Sequence, residues 1–277
     1  MASIARTSLH QVSKRLYPAG FASLSFLNSL PKHKNNFLRT PLPRLARPAI
    51  SSNREYSHSH SHSHSYTTST PSRMANLTAS TFLEYVKNRR TYYPLSKDIS
   101  LSADQVDDIV KVAMQHVPSS YNSQSNRVVV LQGAHHEKLW DMISEVLRAV
   151  VPEEQWKSTA ERMAWFKGAA GTILFFIDQD VVRGMQDRFP LYAEGFPGWA
   201  GQSAGMLQFA LWTALEAEGL GANLQHYNPL ADENIAAEWN VPRTWQLNAQ
   251  LVFGGRTGET YPKESKPAEE TVKSFRD

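Results

Sequence analysis

The sequence predicts an α+β fold, on three observations. Helical and extended patterns succeed one another irregularly, helices first and then strands separated by helices. Two short apolar runs, "NRVVVL" (126–131) and "TILFFI" (172–177), have the length and composition of buried strands. No strand leads through a Gly-rich turn into a helix, and no phosphate loop ends in Gly-Lys-Ser/Thr, so a doubly wound parallel sheet fits less well.

In chain order, "STFLEYVKN" (80–88) reads as a helix that releases the chain into "NRRTYYPL". Over 102–117, Val106, Ile109, Val110, Ala113, Met114 and Val117 form one helical stripe. Ser102 and Gln105 stand in capping-box register, and Pro118 stops the helix. Strand 126–131 is followed by helices over 135–150 and 153–166, then by strand 172–177. An aromatic, irregular segment, "DRFPLYAEGFPGW" (187–199), leads into "GQSAGMLQFALWTALEAEGL". That stretch is apolar around most of its circumference from Ala204 to Leu215, which predicts burial on nearly every side, in a central core or a dimer interface. Gly219 and Gly221 end it; "ANLQHY" resumes extended structure, "ADENIAAEW" gives a short helix and "TWQLNAQLVFGG" a last strand.

Composition narrows the chemistry. With 277 residues, 41% of them hydrophobic, the chain can bury a core. It has no cysteine, which excludes disulfides, thiolate metal sites, iron–sulfur clusters and a cysteine nucleophile. No apolar run approaches the roughly 20 residues that span a bilayer. Nine of the 29 Lys and Arg residues fall in 1–54, ahead of the first acid, Glu55; the remaining 20 face all 26 acids, so residues 55–277 carry −6. The basic character belongs to the leader and does not argue for a nucleic-acid partner.

Residues 1–73 are read as lying outside the fold and 74–277 as the domain. The Arg- and Ser-rich, acid-free start has the composition of a mitochondrial transit peptide, against the alternative of a basic tail with no address. His58, His60, His62 and His64 alternate with Ser in a low-complexity tract read as solvated linker rather than a metal site. Met74 resembles a second translation start, from which the product would stay in the cytosol.

Three polar clusters interrupt the apolar pattern. Arg89, Arg90 and Thr91 offer forked donors and a hydroxyl suited to phosphate, or else cap the preceding helix. The run Ser119 to Asn126 offers donors and acceptors together, matching a ligand with carbonyl and ring-nitrogen edges, or else a turn rich in local hydrogen bonds. Lys263 and Lys266 follow the last strand.

These stretches carry a resemblance. "NRRTYYPL" looks like the Arg-Arg-Ser/Thr opening of the FMN-dependent nitroreductase family, "PSSYNSQSN" resembles its Pro-Ser-Ser-x-Asn-Ser-Gln-Pro-Trp loop, and "GLGANLQHYNP" is similar to its Gly-Leu-Gly strand start. The similarity runs from about residue 80 to 267, and the sub-branch it suggests is the fungal and bacterial group tied to oxidative stress. It implies a central, mostly antiparallel sheet flanked by helices, with the long buried helix at the core of a homodimer that holds FMN between its chains. By motif, Arg89 and Thr91 would hold the phosphate and ribityl tail, with Arg90 nearby through its backbone. Pro118, Ser119, Ser120, Asn122 and Gln124, from the partner chain, would line the ring and ribityl chain. Leu224, Gln225 and His226 match the strand facing the reactive edge of the flavin, and Lys263 and Lys266 would neutralise phosphate. The implied activity is hydride transfer from NAD(P)H through flavin to nitroaromatic or quinone acceptors, with no catalytic side chain and no metal. The alternative is a flavin-binding redox sensor with little turnover. The chain departs from the family at Ser125 and Asn126, in place of Pro-Trp, at His226, where many members carry Glu, and at Tyr93, a position often basic.

Overall fold

A computed structural model describes residues 78–277. The leader, the His-Ser tract and Met74 lie outside the described residues.

Helix α1 (Ala79–Asn88) starts where the Thr78 hydroxyl accepts from the Thr81 N–H. None of its residues is buried, and Phe82 and Leu83 are more than half exposed. After a two-residue strand, β1 (Leu95–Ser96), helix α2 (Ala103–His116) opens on the expected capping box: Ser102 Oγ accepts from Gln105 N–H, and Ser102 N–H donates to Gln105 Oε1 at 2.8 Å. The polar loop then contains a single 3-10 turn (Ser120–Asn122) before β2 (Asn126–Gln132). Helices α3 (Ala134–Val150) and α4 (Glu153–Lys167) pack on each other and return the chain to β3 (Gly171–Asp178).

Helix α5 (Gln179–Arg188), a 3-10 turn (Pro190–Gly195) and the 22-residue α6 (Phe196–Ala217) follow. The chain ends through β4 (Gly221–Gln225), α7 (Asp232–Glu238), β5 (Trp245–Arg256) and the short α8 (Ala268–Thr271).

The strands form one sheet in the order β1-β5-β3-β2, with β4 also on β5. All these pairings are antiparallel, as expected. Every residue of β3 is buried, so this strand is apolar without alternation because helices cover both its faces. Leu207, Leu211 and Leu215 of α6 enter the main core beside Val106 and Val110 of α2, Phe175 of β3, and Leu251 and Phe253 of β5. Strand β1 escapes a propensity reading because its placement depends on its partner: a Cβ on Gly254 would lie 2.4 Å from the Ser96 carbonyl oxygen, and one on Gly255 2.2 Å from that of Asp98. Those two glycines let residues 95–98 lie against β5, which anchors the Arg-Arg-Thr segment just upstream.

Helix α6 differs from its expectation within one chain. Met206 and Phe209 are 41% and 39% exposed, and a Cβ on Gly198, Gly201 or Gly205 would meet open space. These positions share one side of the helix, so α6 is buried on its Leu face and presents a flat apolar strip on the other. Among the described residues no helix is long and apolar enough to cross a membrane.

Candidate functional site

The Arg-Arg-Thr segment is pinned beside β4. Arg89 caps α1, its N–H donating to the Tyr85 carbonyl at 2.9 Å. Thr91 forms a parallel bridge to Ala222, and Tyr92 N–H donates to the Ala222 carbonyl at 3.1 Å. Side chains tighten the joint: Asn223 Nδ2 donates to the Tyr92 carbonyl, and Gln225 Nε2 donates to both the Tyr93 hydroxyl and Asn223 Oδ1, each at 2.9 Å. Leu224, Gln225 and His226 therefore lie close to Arg89–Tyr93. His226 retains contact with solvent, and partial burial lowers its pKa below the ordinary 6.5. Arg90 donates to the Tyr261 carbonyl, which brings the C-terminal segment back toward this corner two residues before Lys263. Lys263 and Lys266 are exposed, and among the described residues neither forms an ion pair.

Arg89 is the cation of interest. Its guanidinium carbon lies 4.5 Å from the centroid of the Trp212 ring on α6. Burial pulls its pKa down; the Glu216 carboxylate raises it and Arg90 lowers it. Glu216 pairs through Oε1 with Arg256 at 2.8 Å, and burial raises its own pKa despite that partner. Among the described residues the forked N–H donors of Arg89 meet no hydrogen-bond acceptor. A partly buried guanidinium with open donors fits a phosphate.

The polar loop is built differently. Tyr121, Asn122 and Gln124 adopt φ of 56°, 49° and 51°, the left-handed region, which costs a residue with a side chain about 1–2 kcal/mol. Local bonds offset this: Asn122 N–H donates to the Ser119 carbonyl and Gln124 N–H to Ser119 Oγ, both at 2.9 Å, while Arg127 Nη1 donates to the Gln124 carbonyl at 2.7 Å. Ser120 N–H reaches Ser203 Oγ on α6 at 3.3 Å. Ser125 and Asn126 are buried, and Asn126 Nδ2 donates to the Ser203 carbonyl at 3.3 Å, a polar tie to α6. Below exposed Pro118, an open cleft of about 300 Å³ runs between the loop and the end of α2, lined by Met114, Val117, Ser119, Asn122, Gln124 and Arg127. Its hydroxyl and amide edges suit a ligand carrying both donors and acceptors.

One chain keeps these halves apart. The loop touches α6 at Ser203, whereas Arg89 touches it at Trp212, nine residues or about 14 Å along the axis. Between them lies the exposed apolar strip of Met206 and Phe209.

Residues 86–255 match the Nitroreductase family. The chain belongs to that family. As a nitroreductase-family member it is an oxidoreductase, and its α+β fold is that of the family's solved structures. The nitroreductase FRM2 of Saccharomyces cerevisiae is 35% identical over 175 residues, 62% of this chain and 86% of the relative. The nitroreductase CinD from Lactococcus lactis, solved with 4-nitrophenol, is 39% identical with a TM-score of 0.65, over 70% of this chain and all of that one. A nitroreductase-like protein of Desulfovibrio desulfuricans, solved with FMN, shares the fold at 18% identity and a TM-score of 0.52, over 70% of this chain and 97% of that one.

The residue motifs single out the Arg89–Thr91 corner and the Ser119–Gln124 loop but not the groups that hold them in place. Glu216 carries a signal in hindsight, as the one charged residue of α6. Tyr121 and Asn223 carry none, because their contacts are made across the fold.

Proposed function

We propose that this chain is an FMN-dependent oxidoreductase that takes hydride from NADH or NADPH and reduces nitroaromatic or quinone-type acceptors, acting as a homodimer in an oxidative-stress response. The observation that carries the reading is the separation of the two half-sites along α6. A phosphate-competent Arg89 corner and an amide-lined loop lie at opposite ends of an exposed apolar strip, an arrangement that a second copy packed on that strip would complete. The 4-nitrophenol bound by the CinD relative supports the acceptor class, and the FMN bound by the more distant relative supports the cofactor.

Bound FMN supplies the hydride acceptance and donation; the polypeptide binds, orients and shields. Arg89 would hold the phosphate through its forked N–H donors, Thr91 would add its hydroxyl, and Arg90, Lys263 and Lys266 would supply positive potential. Ser119, Ser120, Asn122 and Gln124 of the second copy would hold the polar groups of the ring, and Pro118 would stiffen the start of that loop. The backbone N–H groups of Gln225 and His226 would support the part of the flavin that becomes electron-rich on reduction, and a neutral His226 would add no net charge there. No side-chain nucleophile or general base is required. Residues 1–73 are proposed to direct the product to mitochondria, and a start at Met74 to leave it in the cytosol.

Steady-state oxidation of NADH and of NADPH, with a quinone or a nitroaromatic as acceptor, tests the activity. Turnover well above that of free FMN is expected; rates no higher than free FMN would overturn the enzyme reading in favour of a sensor. A reporter fused to residues 1–73 is expected in mitochondria, and a cytosolic reporter would refute that assignment.

A further inference from the structure

The left-handed stretch of the polar loop is not supported by its local hydrogen bonds alone. Tyr121, at φ 56° and ψ 21° and 54% exposed, lays one side of its ring against the aromatic residues around the start of α6. Ring centroids lie 5.1 Å from Phe189, 5.5 Å from Phe196 and 6.5 Å from Tyr192, and Trp199 stacks at 5.9 Å with 22° between the planes. Beside it, fully buried Ser203 accepts from Ser120 N–H and donates to the Trp199 carbonyl at 2.8 Å. The joint leaves only a small cavity of about 10 Å³, facing Ser120, Ser123 and Ser125. The Pro190–Gly195 turn on the far side is open to solvent, with Leu191 86% and Tyr192 47% exposed.

We propose that Tyr121 is a positioning residue: its ring clamps the Ser119–Gln124 loop to the 189–199 aromatic segment, so that cofactor loop and aromatic turn hold and loosen as one unit. The proposal rests on the FMN reading for its consequence and on the ring geometry for its cause. A phenyl ring at this position retains the stacking, whereas a methyl group removes it and leaves the left-handed backbone unsupported. Coupling of this kind is reciprocal. Whatever orders the loop also orders residues 189–196, and loosening the aromatic turn weakens the grip on the cofactor.

The test uses the full chain with Tyr121→Phe, Tyr121→Ala, Tyr121→Gly and Phe189→Leu, each checked for an unchanged circular dichroism spectrum. FMN dissociation constants are read by flavin fluorescence, and amide hydrogen exchange is followed with and without FMN. Tyr121→Phe is expected to bind FMN within about twofold of the parent, Tyr121→Ala about tenfold more weakly, and Phe189→Leu several-fold more weakly although Phe189 lies outside the cleft. Tyr121→Gly separates ring from backbone: relief of the left-handed conformation with parent affinity overturns the clamp, and a loss at least as large as that of Ala supports it. Without FMN, Tyr121→Ala and Phe189→Leu are each expected to speed exchange in both 119–124 and 189–196. Faster exchange in only one of these segments would overturn the coupling. This exchange readout decides the clamp even for a parent that binds no FMN, an outcome that would instead refute the functional reading.

Discussion

Acid is expected to weaken this fold through one histidine. His136 is 1% exposed, with its ring between α4 and β3. Its Nε2 lies 3.0 Å from the Phe166 carbonyl, which can only accept, so Nε2 carries the proton. Nδ1 is then the acceptor for the Thr172 hydroxyl at 2.9 Å, and Thr172 Oγ1 in turn accepts from Trp140 Nε1–H at 3.0 Å. A second proton on Nδ1 would bury a cation and turn the Thr172 hydroxyl hydrogen away from its partner. Burial accordingly lowers the His136 pKa from 6.5 to about 4, against weaker upward pulls from backbone hydrogen bonds. Because the folded value is depressed, the unfolded chain binds more protons in this range. The contribution is complete above pH 6.5 and is lost as pH falls through 6.5 toward 4. Linkage puts the loss between pH 8 and pH 5 at about 2 kcal/mol, or several degrees in Tm for a domain of this size. Urea unfolding of the Asp232→Asn chain across that range measures the loss free of an opposing carboxyl titration, and imidazole nitrogen shifts report the His136 titration directly. A ring that titrates near 6.5 in the folded protein would refute the reasoning. The consequence reaches the site, since Phe166 packs 6.0 Å from Tyr93, the hydroxyl partner of Gln225.

Asp232 works in the opposite sense. Burial raises its pKa from 3.8 to about 6 and its Oδ1 has no partner, so ionisation costs stability as pH rises toward and past 6. Asp232→Asn is expected to gain about 2 kcal/mol at pH 8 and little at pH 4 by urea unfolding, and it exposes the His136 effect without its counterweight. Arg89→Ala removes the charge-assisted donors at the proposed phosphate corner and is expected to weaken FMN binding about 10- to 100-fold by fluorescence titration. Retention of parent affinity would move the phosphate anchor elsewhere. Phe209→Glu places a charge on the apolar strip of α6; a single-copy elution mass with loss of flavin is expected, and an unchanged dimer would place the interface on another surface.

Much of the fold was legible because local signals and tertiary demands agree. The Ser102–Gln105 box, Pro118 after α2, and the apolar runs of β2 and β3 each state their structure within a few residues. Strand β1 was not legible, because Leu95 and Ser96 become a strand only where Gly254 and Gly255 admit them. A single chain leaves the outer face of α6 uncovered, so the central-core alternative of the burial reading fails for that face and the dimer-interface alternative is the one proposed. At the site, the motifs carried Arg89, Thr91 and the Ser119–Gln124 loop. The Tyr121 ring contacts, the Gln225–Tyr93 bond and the position of Glu216 beside Arg89 arise from segments distant in sequence, and periodicity does not encode them.

The proposed function requires two copies of the chain to grip one flavin jointly at each of two equivalent sites. Gel filtration with light scattering, read alongside the visible absorption spectrum, measures this directly. A yellow particle of twice the chain mass, carrying one FMN per chain, is the predicted result. A folded, colourless particle of one chain mass that takes up no FMN when it is added would contradict it.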